Sequence, residues 1–280
     1  MENLKLKSYA KINIGLDILD KREDGYHNIK SIMQEIDLYD EMEISQSDNI
    51  EIVCSNSDLK TDESNIIHKS ILEIQKFTNT SYGLKVTLKK NIPMMAGLGG
   101  GSSNGATTLK AYNTLYDLKL TNEELIKIAS NVGADVPFFI LGGACLCEGI
   151  GEILTPINIQ KDIFAVLIKP DLNISTKEAY LTIDKIGRYL RPSRYDDTIT
   201  GLNTYHGSVP AINSFMLYTD EYYPVINDIM RVFFKNRAIF ALMSGSGSTV
   251  YGLYYKEDVA QKAYAKLSRL YNEVYIAKFI

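Results

Sequence analysis

Leu4 to Leu19 carries apolar residues with a period of two, which predicts a strand with Lys11 and Asn13 on one face and Ile12 and Ile14 on the other. The polar run "DKREDG" ends in Asp24-Gly25 and reads as a turn, after which "YHNIKSIMQEIDLYDEMEIS" resumes the extended pattern. The period turns helical in "SNIIHKSILEIQKF", Ser64 to Phe77, and returns to a strand in "YGLKVTLKKNI". A glycine-rich stretch follows, then a helix from about Ser102 to Tyr116. A second helix starts at Thr121, where "TNEE" has the form of a capping box, and stops near Gly133. The apolar "VPFFILGGACLCEGIGEIL" reads as strand and hairpin.

Near Pro156 the pattern starts afresh. "DIFAVLIKP" predicts a strand and "STKEAY" opens a helix. "RPSRYDDTITGLNTYHGSVP" is polar and irregular, a long loop or a poorly periodic helix. A helix in "YYPVINDIMRVFFKN" precedes two strands around "IFALMSGSGSTVYGLYY", a helix in "EDVAQKAYAKLSRLY" and a last strand, "EVYIAKFI". Strands mixed with helices that do not strictly alternate predict an α+β chain in two lobes, 1–156 and 157–280, rather than a doubly wound sheet.

Composition narrows the partners. With 280 residues, 45% of them hydrophobic and a formal net charge of -4, the chain gives no global electrostatic reason to bind nucleic acid or an anionic membrane, so any anionic ligand needs a local device. Charges interrupt every apolar run of the opening segment, and no run reaches the length of a membrane span. Three cysteines, an odd number, argue against a disulfide scaffold, and the cytoplasm is the expected compartment. Cys145 and Cys147 share a strand face, but His27, His68 and His206 are scattered and no second cysteine pair exists; the thiols read as buried small hydrophobes.

"PMMAGLGGGSSNGATTLKAY", Pro93 to Tyr112, places five glycines between Gly97 and Gly105 and then turns helical. Glycines let backbone N-H groups converge, because they tolerate positive φ and carry no Cβ. Directly before a helix, those N-H groups add to the positive end of its dipole and form a site suited to phosphate. Ser102 and Ser103 can cap the helix or offer hydroxyls to phosphate or magnesium. The Walker pattern is excluded, since no lysine lies between Pro93 and Leu109, and Ser102 stands where a dinucleotide fingerprint needs its third glycine. The phosphate charge is then left to Lys11 or to magnesium. A second small-residue turn, "MSGSGST" from Met243 to Thr249, can close on the same phosphates.

"PMMAGLGGGSSNGAT" resembles the phosphate motif of the GHMP kinases, the family named for galactokinase, homoserine kinase, mevalonate kinase and phosphomevalonate kinase, and "LMSGSGSTVYG" looks like their third motif. "SYAKINIGLDILDKREDGYHNIKSIMQEIDLYD" and "GADVPFFILGGACLCEGIGEILTP" are closer to the branch of that family that phosphorylates the 2-hydroxyl of 4-diphosphocytidyl-2-C-methyl-D-erythritol in the non-mevalonate isoprenoid pathway. The resemblance implies a ribosomal-protein-S5-domain-2-like N-terminal lobe, a ferredoxin-like C-terminal lobe, ATP as co-substrate, magnesium carried largely by ATP, and a monomer or weak homodimer. It implies catalytic roles for Lys11 and Asp135, a cytosine site at Tyr26 and His27 with Tyr180 on the base's other face, and ATP contacts from Pro93, Gly97, Gly99, Gly100, Gly101, Ser102, Ser103, Asn104, Ser244, Gly245 and Gly247.

The residue types suit these roles. Transfer to a hydroxyl needs alignment, charge neutralisation and a proton acceptor. Asp135 stands at the mouth of an apolar segment, and a lysine keeps a carboxylate ionised or steadies the transferring group. An aromatic face suits a pyrimidine, imidazole can bond its polar edge, and Asn13, beside Lys11, can meet polar substrate groups. The bland alternatives are a turn aspartate at Asp135, a Lys11 that snorkels to solvent, and surface decoration at Tyr26 and His27. Gly105 stands where many relatives carry alanine and Asn104 where several carry aspartate. The region from Arg188 to Val209 matches the family poorly.

Overall fold

A computed structural model describes residues 3–56, 59–187, 189–205 and 209–280; Arg188 and His206 lie outside the described residues. The chain divides into two compact units, Met1–Ala10 with Tyr39–Met94 and Gly99–Gly142, and Lys11–Leu38 with Met95–Leu98 and Gly143–Ile280. Two long paired strands, β1 (Asn3–Lys21) and β2 (His27–Ser47), contribute to both.

In the first unit, β3 (Glu51–Cys54) runs parallel to β4 (Gly83–Lys89), and β4 pairs antiparallel with β2 from Glu41↔Lys89 to Ser47↔Gly83. Leu84, Val86 and Leu88 alternate into the core of this sheet. Among the described residues of the unit the helices are α1 (Ile66–Thr78), α2 (Gly100–Leu115), α3 (Asn122–Val132) and α4 (Val136–Leu141). Asn65 caps α1 by accepting from Ile67 N, and the capping box at Thr121 and Glu124 forms at the start of α3. Ile67, Ile71 and Ile74 of α1, at helical spacing, are buried, as are Leu109 and Tyr112 of α2.

The stretch expected to begin as a strand, "VPFFIL", is the six-residue helix α4. Pro137 sits in its first turn and Gly142 closes it. Val136 to Ile140 are all buried, so neither a 2.0 nor a 3.6 period was there to read.

In the second unit, β2 pairs with β5 (Ala144–Glu148) and β5 with β6 (Ile153–Pro156), both antiparallel. Cys145 and Cys147 are buried on β5, and burial pushes the Cys145 thiol up to about 11. A separate four-stranded antiparallel sheet is built from β7 (Phe164–Ile168), β8 (Phe240–Met243), β9 (Val250–Tyr254) and β10 (Val274–Lys278), in the order β10-β7-β9-β8. Between β7 and β8 lie α5 (Thr176–Ile186), α6 (Tyr195–Asn203), α7 (Met216–Tyr222) and α8 (Val225–Lys235), and α9 (Glu257–Leu267) leads to β10. With α8 and α9 packed on the sheet, this is the ferredoxin-like arrangement, its core including Val166, Ile168, Phe233, Met243, Val250 and Leu267. Part of the polar stretch expected as loop or weak helix is α6, and α7 was not foreseen. Among the described residues, no helix is long and apolar enough to cross a membrane.

Candidate active site

Helix α2 begins at Gly100, two residues before the expected start, with Gly99 as its N-cap in the left-handed region at φ 68°. No side-chain cap forms, so the expected capping by Ser102 or Ser103 does not occur. Ser103 is buried and its hydroxyl accepts from Ser8 Oγ at 2.7 Å, whereas Ser102 is half-buried. Asn104 also turns inward, its amide donating to Ser8 Oγ and Asp40 Oδ2. Uncapped first-turn amides at a glycine-built helix start are donors suited to an anion. Pro93, half-buried after Ile92, leads into this segment.

Within the second unit, residues 95–98 meet the small-residue turn between β8 and β9. Gly97 has φ 74°, and a Cβ built on it would lie 2.1 Å from Ser244 O, so no side chain fits. Ser244 Oγ donates to Gly97 O at 2.9 Å and accepts from Asn13 N at 3.2 Å. Lys11 N donates to Leu98 O at 3.0 Å. The turn is fixed from behind by the buried Asn213, whose amide donates to Met243 O and Gly245 O. Gly245 and Gly247, both at positive φ, complete it.

Lys11 does not snorkel. Only 3% exposed, it donates from Nζ to Asn13 Oδ1 at 2.5 Å, and Asn13 Nδ2 donates in turn to Ser31 Oγ. An ammonium held this deep needs polar company, and the asparagine supplies part of it. Asp135, half-buried, is the N-cap residue of α4 and does not use its carboxylate for the cap.

The third group is aromatic. Tyr26 follows a turn in which Asp24 accepts from Tyr26 N, and its side chain is 60% exposed. His27 is buried; its ring stacks on Tyr180 with centroids 4.8 Å apart and planes 18° apart, and its Nε2 lies 2.7 Å from Asp184 Oδ1. Lys21 Nζ donates to Asp184 Oδ2 at 2.6 Å. Tyr180 and Asp184 stand one turn apart on α5, so one helix face supplies both contacts to His27. Burial alone would raise the Asp184 carboxyl, but the bonds and charges of Lys21 and His27 outweigh it and hold it below its ordinary value. The sequence reading missed Asp184; its spacing from Tyr180 was the available signal. In the poorly matching region, Asp17 accepts from Ser193 N and Oγ, and Tyr195 Oη donates to Lys30 O, anchoring α6 to β1 and β2. Burial raises the Asp17 carboxyl despite those hydrogen bonds.

Comparison with known proteins shows the family. Residues 65–143 match the GHMP kinases N terminal domain and residues 203–273 the GHMP kinases C terminal family. A protein named 4-diphosphocytidyl-2-C-methyl-D-erythritol kinase from Alkaliphilus oremlandii (strain OhILAs) is 40% identical over 283 residues, covering 99% of this chain and 97% of that protein. One of the same name from Clostridium tetani (strain Massachusetts / E88) is 39% identical, covering 99% and 100%. A crystal structure of 4-(cytidine 5'-diphospho)-2C-methyl-D-erythritol kinase superposes with a TM-score of 0.86 at 26% identity over 99% of both chains. A homoserine kinase from Cytophaga hutchinsonii shares the fold, with a TM-score of 0.77 at 18% identity over 100% of this chain and 98% of that one.

Proposed function

The chain belongs to the 4-diphosphocytidyl-2-C-methyl-D-erythritol kinases of the GHMP family, and on that premise we propose that it transfers the γ-phosphoryl group of ATP to the 2-hydroxyl of 4-diphosphocytidyl-2-C-methyl-D-erythritol. The observation that carries the reading is the uncapped, glycine-built start of α2 in a chain that matches those kinases from end to end. ATP is the co-substrate, its phosphates received by the amides of Gly99, Gly100, Gly101 and Ser102, with the turn at Ser244, Gly245 and Gly247 as a second small-residue contact. The inward-facing Ser103 and Asn104 support the start of α2 from within.

The acceptor's hydroxyl oxygen attacks the γ-phosphorus, its proton passes to the Asp135 carboxylate, and ADP leaves; transfer is direct, with no phosphoenzyme. Lys11, a fixed buried cation, balances charge on the transferring group, and Asn13 orients polar atoms of the sugar alcohol. Tyr26 offers one face to cytosine and Tyr180 the other, and His27, steadied by its contacts with Tyr180 and Asp184, offers its edge.

Magnesium fits the donor set as a companion of the nucleotide. No group of three or more His, Cys, Asp or Glu side chains able to hold a metal occurs among the described residues, and Ser102 supplies the hard oxygen that such an ion takes alongside phosphate. When bound, it neutralises phosphate charge. We propose lobes of 1–156 and 157–280, a division supported by the two matched family segments falling on opposite sides of Pro156, while the second compact unit of the structure also takes in residues 11–38, 95–98 and 143–156. The protein works in the cytoplasm as a monomer or weak homodimer.

The test is transfer of label from γ-labelled ATP. Label appearing on the 2-hydroxyl of the cytidylyl substrate, one ADP per product, supports the reading. Equal turnover of mevalonate or homoserine rejects it.

A further inference from the structure

Asp40, on β2, is fully buried, and a buried carboxylate is costly unless its oxygens are occupied. They are occupied from both sides of the glycine segment. Oδ1 accepts from the backbone amides of Asn91 and Ile92, each at 2.8 Å, where the chain leaves β4 for the glycines. Oδ2 accepts from Lys90 Nζ at 2.5 Å and from Asn104 Nδ2 at 3.0 Å, and Asn104 lies one turn into α2, where the chain has left them. Asn104 extends the network to Ser8 and, through it, to Ser103. A Cβ built on Gly100 would stand 3.1 Å from Lys90 Nζ, so the ammonium that Asp40 holds borders the first residue of α2.

We propose that Asp40 is a positioning residue for nucleotide binding: by bonding to both stems of residues 93–99, it fixes the direction in which the first amides of α2 point. The carboxylate itself touches no ligand. The proposal rests on the reading of α2 as the nucleotide-phosphate site. A glycine-rich segment has many accessible backbone states, and amides that are to receive an anion without reorganising must be held by something outside the segment. A carboxylate that only completes the fold would affect both substrates alike or neither, whereas one that aims the amides must show in nucleotide binding selectively.

Asp40→Asn keeps the volume and one acceptor oxygen while removing the charge. MgADP is titrated into the wild-type protein and the variant by calorimetry, KM is measured for ATP and for the cytidylyl sugar alcohol, and the melting temperature is recorded. The expected result is a rise of about tenfold or more in the MgADP Kd and the ATP KM, the factor for one charge-assisted hydrogen bond, with the sugar-alcohol KM within about twofold of wild type. Asn104→Ala cuts the helix stem, together with its bond to Ser8, and leaves Asp40 bonded to Lys90, Asn91 and Ile92; the same selective rise, of several fold, is expected, and this variant decides the matter where Asp40→Asn does not fold. Wild-type protein that binds MgADP beside folded variants that bind it equally well overturns the proposal, as does an equal rise in both KM values with a lowered melting temperature. Failure of wild-type protein to bind MgADP at all overturns the phosphate reading itself, and the proposal with it.

Discussion

The glycine segment and the Tyr26–His27 turn are both short and both assigned to ligand recognition, yet they are held in opposite ways. Around Gly97, Ser103 and Asn104 the chain is packed and hydrogen-bonded, with Asp40 and Ser244 as anchors. Tyr26, by contrast, leaves a surface turn with most of its ring in water, and only its neighbour His27 is fixed. Phosphates are alike in every nucleotide, so a rigid set of backbone amides can serve them whatever the acceptor. A base is selected by ring faces and edges, which side chains supply and substitutions can change. The difference separates what a fold can share among kinases from what makes one of them selective.

The largest effect tests whether binding at α2 and chemistry are separable. Asp135→Asn should lower kcat by about 10²–10⁴, the range for loss of a general base, while the MgADP Kd stays within about twofold. An unchanged kcat removes the carboxylate from the reaction.

Gly97→Ala attacks the packed side of the comparison. Its positive φ and the 2.1 Å approach of the new Cβ to Ser244 O leave no room to relax, since the obstructing atom is backbone. Backbone strain alone costs about 1–3 kcal/mol, and the clash adds to it. A lower melting temperature together with a raised ATP KM is expected; a variant as stable and as active as wild type would show that the segment is not held as described.

How much of this was legible follows the same division. The glycine segment announces itself because its chemistry is local: consecutive glycines, then a helix. The strand face of Lys11 and Asn13 and the capping box at Thr121 are local patterns too. What closes around them is not. Asp40 meets Asn104 across 64 residues and His27 meets Asp184 across 157, and no periodicity carries such pairings. Helix α4 was misread because an all-buried run has no polar face to mark its period. Helix α6 was obscured by its polar composition, although Tyr195, Thr198, Gly201 and Leu202 give it a buried face.

On the exposed side, Tyr26→Ala should leave the melting temperature nearly unchanged, because little of the ring is buried. It should raise the KM of the cytidylyl substrate by about tenfold, stacking on a base being worth about 1–3 kcal/mol, with the ATP KM unmoved. Equal effects on both substrates would contradict the stacking role and erase the contrast between the two regions.

The smallest effect belongs to Asp184→Asn, which sharpens the contrast by loosening the one fixed element of the base side. The variant keeps a hydrogen-bonding group near His27 Nε2 but loses the charge that Lys21 and His27 face. The cytidylyl KM should rise by about two- to fivefold, and stability near neutral pH should fall by about 1 kcal/mol or less. The pH dependence has a definite sign. The folded carboxyl titrates below its ordinary value, so the charged form binds Lys21 and His27 more tightly in the folded chain than in the unfolded one. Its contribution is complete above the ordinary carboxylate range and is lost as pH falls through the folded value. Denaturation midpoints of wild type and Asp184→Asn should therefore differ by a constant amount near neutrality and converge below about pH 4. A gap that widens on acidification would mean that the carboxylate is not stabilised by these partners, and His27 would then be held by Tyr180 alone.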